Sequence, residues 1–149
     1  MAVSAKLKQL IGKSSKPMYF EVEKGQIRRF AMAIGEENSI HFDEKAAKGA
    51  GFSSLVGPPT FAAVLHDIDP FLDDLGFEGK TFMHAEEEYE YYQPICAGDA
   101  LRVVHKMAKI YDGLASKGKL IFFVIETRGT DKKAKPVFKG KRLIVELKN

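Results

Sequence analysis

The residues best suited to chemistry in this chain of 149 lie in two short segments. The first, Ala33-Ile34-Gly35-Glu36-Glu37-Asn38-Ser39-Ile40-His41, offers a carboxylate at Glu36 and an imidazole at His41; the second, sixteen residues past His41, is Gly57-Pro58-Pro59-Thr60-Phe61. A carboxylate and an imidazole acting together can shuttle a proton between a water or hydroxyl and a carbon next to a carbonyl. Five positions on a continuous helix would set the two about 140° apart. They can face one water only if the backbone between them turns, and Gly35 with Asn38 supplies residues that turn readily. A helix opening after Pro58-Pro59 would present N–H groups and a positive dipole end to charge developing on the carbonyl oxygen. The prolines have no N–H, so the expected donor is Thr60, Phe61 or the Gly57 amide, with the Thr60 hydroxyl in addition. The plainer alternatives are a structural or surface histidine at position 41 and a helix-end carboxylate at position 36.

These residues need elements to hold them. Met1 to Ser15 has weak helical character and a Lys-Ser-Ser-Lys-Pro break, which reads as a peripheral arm (1–15) on a single body (16–149). Met18 to Val22 suits a short strand, and Ile27, Phe30, Ala31 and Ile34 repeat at the spacing of an amphipathic helix that Gly35 would stop. Asp43 to Lys48 can cap and start a second short helix. Phe61, Val64, Leu65 and Ile68 form an apolar helical stripe after the prolines, and Asp69-Pro70 breaks it before a further turn with Phe71, Leu72 and Leu75.

From Thr81 the period changes. Thr81 to Gln93, Leu101 to Tyr111, Leu120 to Thr127 and Val137 to Leu147 read as strands, punctuated by Pro94 with Gly98-Asp99, by Asp112-Gly113 with Gly118, and by Gly129 to Lys135. An antiparallel meander is the simplest linkage, with the Leu120 to Ile125 run, apolar on both sides, as a central strand. Helical elements followed by a long antiparallel sheet make an α+β layout.

Composition bounds the remaining classes. A hydrophobic share of 45% and a charged share of 29% are ordinary for a soluble domain, and no window nears the roughly 20 apolar residues of a membrane span. With no signal-peptide-like apolar region near the start, a cytoplasmic location is the default expectation. The single cysteine, Cys96, has no partner for a disulfide and no metal-ligand companions, so it reads as a buried or half-buried thiol, and no metal is expected. A net charge of +3 and the lack of a nucleic-acid motif argue against a nucleic-acid partner. Lys132, Lys133, Lys135, Lys139, Lys141 and Arg142 do crowd one segment, either as a solvated face or as a site for coenzyme phosphates or an acidic carrier protein. His84 reads as part of a polar strand face with Phe82, Glu86, Glu88 and Glu90. His66 reads as a helix-surface residue, His105 as a strand-face one, and Tyr89, Tyr91 and Tyr92 as packing residues.

Three motifs in order resemble one family. The Gly35 to His41 run is similar to the signature of MaoC-like dehydratases: a glycine, an acid, any residue, an asparagine, usually a proline, an aliphatic residue and a histidine. Leu55 to Phe61 looks like the segment that opens the central helix in that family's N-terminal-domain branch, the fatty-acid-synthase-type dehydratases. His84-Ala85-Glu86, Tyr89-Glu90-Tyr91 and Pro94 to Leu101 look like its first long strand and turn. Glu36 stands where the family normally has aspartate, and Ser39 where it usually has proline. The resemblance, over roughly Phe20 to Glu146, implies a single hot-dog fold, an antiparallel sheet wrapped around a central apolar helix. It also implies (R)-3-hydroxyacyl thioester dehydratase or enoyl hydratase activity, with Glu36 and His41 catalytic and Asn38 holding the loop between them on the substrate side; Gly57, Thr60 and Phe61 are placed toward the substrate by the helix-start argument above and not by the family. No cofactor is implied beyond coenzyme A or acyl carrier protein as part of the substrate. The expected assembly is a homodimer, or a heterodimer with a second hot-dog subunit. Two alternatives are a non-catalytic acyl-binding subunit and a hot-dog thioesterase.

Overall fold

The computed structural model describes residues 3–115 and 118–147. Met1 and Ala2 of the expected arm and Lys148 and Asn149 of the body lie outside these. Five strands, β1 (Met18–Glu21), β2 (Thr81–Tyr91), β3 (Ala100–Ala115), β4 (Gly118–Thr130) and β5 (Pro136–Leu147), form one antiparallel sheet in the order β1-β3-β4-β5-β2. The meander holds for β3-β4-β5. The expected pairing of β2 with its successor does not form: β2 instead joins the far edge beside β5, because the 92–99 connection carries the chain across the sheet to β3. β3 and β4 run on to Ala115 and from Gly118, past the predicted break at Asp112-Gly113. As its apolar run foretold, β4 is central, with Phe123 and Ile125 fully buried on the inner face and Val124 nearly so on the other.

The helical pieces are α1 (Ala5–Lys8), α2 (Lys24–Ala33), α3 (Glu44–Gly49) and α4 (Asp69–Asp74), with 3₁₀ turns at Ser39–His41 and Phe61–Val64. The continuous helix expected from Phe61 to Ile68 is not formed. Its place is taken by the 3₁₀ turn, an irregular stretch and then α4, in which Pro70 occupies an early position that needs no N–H. Val64, part of the predicted apolar stripe, is 51% exposed, whereas Phe61, Leu65 and Ile68 are buried. The N-terminal arm is not peripheral. Val3 is buried, Leu7 and Leu10 pack beside it, and the Gly12 and Ser15 amides donate to the carbonyls of Met107 and His105 on β3.

Two bulges curl the sheet and change which residues point inward. A register shift between His84 and Glu86 moves the inner face of β2 from Phe82 and His84 to Glu87, Tyr89 and Tyr91. Another between Met107 and Lys109 moves that of β3 from Val103, His105 and Met107 to Ile110. The apolar interior divides into one cluster around Ile27, Leu55, Phe61, Leu101 and Phe138 and another around Phe71, Phe77, Met107, Phe123 and Ile144. At Gly129 the β4 backbone lies against the Phe138 ring, and a Cβ there would come within 2.2 Å of it. Phe138 is buried to 1% exposure and cannot swing away, so Gly129→Ala is expected to destabilise the chain by about 1–3 kcal/mol, read as a lower urea midpoint with unaltered m-value.

Candidate functional site

Local backbone chemistry aims the acid. Helix α2 ends in a left-handed Gly35 (φ 73°), with the Gly35 amide donating to Met32 and the Glu36 amide to Ala31. This paired closure sets the direction in which Glu36 leaves the helix. Asn38 then opens the 3₁₀ turn: its Oδ1 accepts from the Ile40 amide at 3.2 Å and its carbonyl accepts from the His41 amide at 3.2 Å. The turn expected from Gly35 and Asn38 is thus present.

The imidazole is fixed from the other side. His41 is buried to 5% exposure, and its Nδ1 lies 2.6 Å from the Val56 carbonyl oxygen. A carbonyl only accepts, so Nδ1 carries a proton, and in the neutral ring Nε2 is the nitrogen with the lone pair. Nε2 lies 4.0 Å from Oε2 of Glu36, whose side chain is about one third exposed. Segment 55–57 is itself stitched in place, since Val56 donates to Ile40, Gly57 to Ile95 at 2.8 Å, and Ala97 to Leu55 at 2.8 Å.

Glu36, Asn38, His41 and Gly57 line one cavity of about 440 Å³, together with Phe52, Pro58, Pro59, Tyr91 and Ile95. The structure therefore brings four of the six predicted site residues together. Phe61 and Thr60 are not on this wall. Phe61 is fully buried, edge-on to Phe30, with its ring packed so closely under Gly57 that a Cβ there would sit 2.6 Å from it. Its amide donates to Pro58, and that of Gly57 is spent on Ile95. Thr60 is exposed beside Pro59. Tyr91, which the sequence presents only as packing, does line the cavity, and its hydroxyl donates to the Pro59 carbonyl at 2.5 Å. Burial, first of all, raises its phenol above the ordinary value.

A second polar group crosses the interior between the two apolar clusters. Arg142 grips the Glu87 carboxylate with Nη2–Oε1 at 2.8 Å and Nε at 3.2 Å from both oxygens. Tyr89 donates to the same carboxylate, and His84 Nε2 lies 2.9 Å from it. Burial pushes the Glu87 carboxyl up, but the hydrogen bonds from Arg142 and Tyr89 outweigh it and leave it below its usual range. Burial and then Glu87 push the Tyr89 phenol up. His66 reaches the Tyr89 hydroxyl through Nε2 at 3.3 Å, and its buried Nδ1 has no hydrogen-bond partner among the described residues. His105, fully buried, bonds Thr127 Oγ1 at 2.8 Å and the Asp67 carbonyl at 3.2 Å. The expectation of a surface His66 is corrected here; His105 does lie on a strand face, the buried one, and His84, Glu86, Glu88 and Glu90 are solvent-exposed as expected but do not share one face. The loop after the 3₁₀ turn folds His66 inward, and the bulge after His84 puts Glu87 and Tyr89 on the inner face in place of Glu86, Glu88 and Glu90. Cys96 is a buried thiol, as expected.

A curled five-stranded antiparallel sheet with few helices is the hot-dog architecture. The model of the FAS1-like dehydratase domain region matches residues 9–140, and the chain belongs to this family. It is 34% identical over 131 residues to a UPF0336 protein of Saccharopolyspora erythraea, covering 85% of this chain and 81% of that one. Among solved structures it is similar to the HadBC (3R-hydroxyacyl-ACP dehydratase) complex of Mycobacterium tuberculosis, with TM-score 0.76, 22% identity, and 91% and 96% of the two chains covered. A MaoC-like dehydratase aligns with TM-score 0.82 and 23% identity over 95% of this chain and 43% of that chain. No helix among the described residues is long and apolar enough to cross a membrane.

Burial lowers the pKa of His66 to about 3 and that of His105 to about 4, from 6.5. A base held below its unfolded value contributes stability that is complete above pH 6.5 and is lost as the pH falls toward 4, because only the unfolded chain takes up the protons. The urea midpoint is expected to drop steadily from pH 7 to pH 4, by a loss on the order of a few kcal/mol, and less steeply in His105→Gln.

Proposed function

We propose that the chain is a hydro-lyase acting on acyl thioesters, interconverting an enoyl thioester and an (R)-3-hydroxyacyl thioester. The observation that carries this reading is the shared cavity of Glu36 and His41, with Nδ1 of the histidine committed to Val56 and Nε2 left as a base 4.0 Å from the carboxylate. In the hydration direction a water lies between Nε2 and Glu36 and attacks the β-carbon as the pair takes its proton. The proton returned to the α-carbon restores the pair, so no other reactant is consumed. Charge passing to the thioester oxygen needs a donor. With the Gly57 and Phe61 amides spent inside the chain, the Thr60 amide, next in the chain to Pro59 of the cavity wall, is the donor we assign, and Asn38 holds the loop between acid and base. Family membership and the solved dehydratases support the reaction class.

The same neighbour supports a second reading, an acyl-binding subunit that works beside a catalytic partner, since the HadBC dehydratase is a two-protein complex. Either way we infer a second hot-dog subunit. The 11-residue β2 is an edge strand with one side unpaired among the described residues, a surface that proteins normally cover.

Purified chain mixed with crotonyl-CoA is expected to consume the conjugated enoyl absorbance without releasing thiol. Thiol release would indicate a thioesterase, and neither change the binding subunit. His41→Ala and Glu36→Gln are each expected to lower kcat by about 10²–10⁴-fold with an unaltered circular dichroism spectrum; unchanged turnover would remove that residue from the mechanism. Light scattering of the pure chain is expected to give twice the 16.6 kDa protomer mass; a monomer that doubles only with a different hot-dog protein would establish the heterodimer.

A further inference from the structure

The lysine-rich turn between β4 and β5 lies where two open grooves meet. One, of about 420 Å³, takes in Gln93, Gly98, Asp99 and the lysines Lys132, Lys133 and Lys135; the other, of about 610 Å³, takes in Tyr19, Phe20, Arg102, Thr130 and Ala134, and shares Lys132 with the first. The turn is built rather than loose. The Asp131 carboxylate accepts from the Lys133 and Lys135 amides at 2.8 and 2.9 Å, and Ala134 takes a left-handed conformation (φ 61°). Those amides, that of Lys135 first, hold the Asp131 carboxyl below its ordinary value. Two of the three carboxylates bordering the grooves are engaged by backbone, Asp131 as stated and Asp99 by the Cys96 amide at 2.8 Å, with Glu21 the third. The three lysines and Arg102 form no ion pair among the described residues. Tyr19 is 74% exposed, an aromatic face left in solvent beside this cluster of cations.

The first groove adjoins the catalytic cavity. Ile95 lines that cavity and Gly98 lines the groove, and three residues of chain span at most about 10 Å. We propose that these grooves bind the adenosine bisphosphate end of coenzyme A, an inference that rests on the thioester reading above and specifies its carrier. The pantetheine arm, with roughly thirteen bonds from sulfur to phosphorus, bridges the gap from the Glu36 and His41 cavity along residues 95–98. The phosphates meet Lys132, Lys133 and Lys135, where several ammonium groups on one rigid turn offer charge-assisted hydrogen bonds. Adenine then packs on the Tyr19 ring in the larger groove, whose concave aromatic wall suits a flat base better than the convex surface of a carrier protein.

Two measurements test this. Adenosine 3′,5′-bisphosphate titrated into the pure chain by calorimetry, which needs no turnover, is expected to bind, more weakly as salt rises. Binding should weaken about tenfold in Lys132→Gln/Lys133→Gln/Lys135→Gln and measurably in Tyr19→Ala. Crotonyl-CoA and crotonyl-pantetheine, which lacks the nucleotide, are compared as substrates; the ratio of their KM values should collapse toward one in the triple variant. Absence of bisphosphate binding, or binding indifferent to the triple substitution, overturns the proposal, as does a KM ratio near one in the natural chain. If neither thioester is hydrated, the catalytic reading fails on its own and calorimetry alone decides the nucleotide site. All four substituted residues are exposed, so misfolding does not confuse the result.

Discussion

The contact between His41 Nδ1 and the Val56 carbonyl holds the whole site in order. It joins two stretches far apart in sequence, it decides which ring nitrogen carries the proton, and it leaves the other nitrogen facing Glu36. A histidine placed by its own loop alone would rotate about two side-chain bonds and lose both orientation and tautomer. Here the carbonyl that accepts from it belongs to a segment pinned on both sides, to Ile40 through the Val56 amide and to Ile95 through the Gly57 amide. The close approach of Gly57 to the Phe61 ring extends this constraint into the first apolar cluster, so core packing and imidazole position are coupled.

The sheet supplies the other half of the design through its irregularities. A bulge in β2 turns Glu87 and Tyr89 inward, and Arg142 on the neighbouring strand compensates the buried carboxylate. The resulting polar belt from Glu87 to His105 would be costly if any member lacked its partner, which makes it a registry device for four strands as much as a source of stability. Its weak point is His66, with one interior ring nitrogen unpaired among the described residues. The cavity of Glu36 and His41 and this belt meet at neighbouring tyrosines, Tyr91 on the cavity wall and Tyr89 in the belt, with ring centres 6.0 Å apart.

The amino-acid order by itself determined the α+β class, the approximate limits of all five strands, the glycine stop of α2 and the Asn38 turn. Each of these follows from local physics: side-chain period, a backbone angle only glycine adopts freely, or a side chain bonding its own backbone. Tertiary structure decided the rest. Whether Phe61 to Ile68 becomes a helix depends on burial against the sheet, and the apolar stripe there is satisfied by a tighter turn and a loop that aims His66 inward. The face on which Glu87 lies depends on a bulge, and one inserted residue reverses a strand's alternation without leaving a mark in its composition. Which backbone amides remain free at Gly57, Thr60 and Phe61 depends on acceptors at Pro58 and at Ile95, the latter 38 positions from Gly57. Local spacing could nominate Glu36 and His41; only the folding of Val56 against His41 decided that they look into the same space.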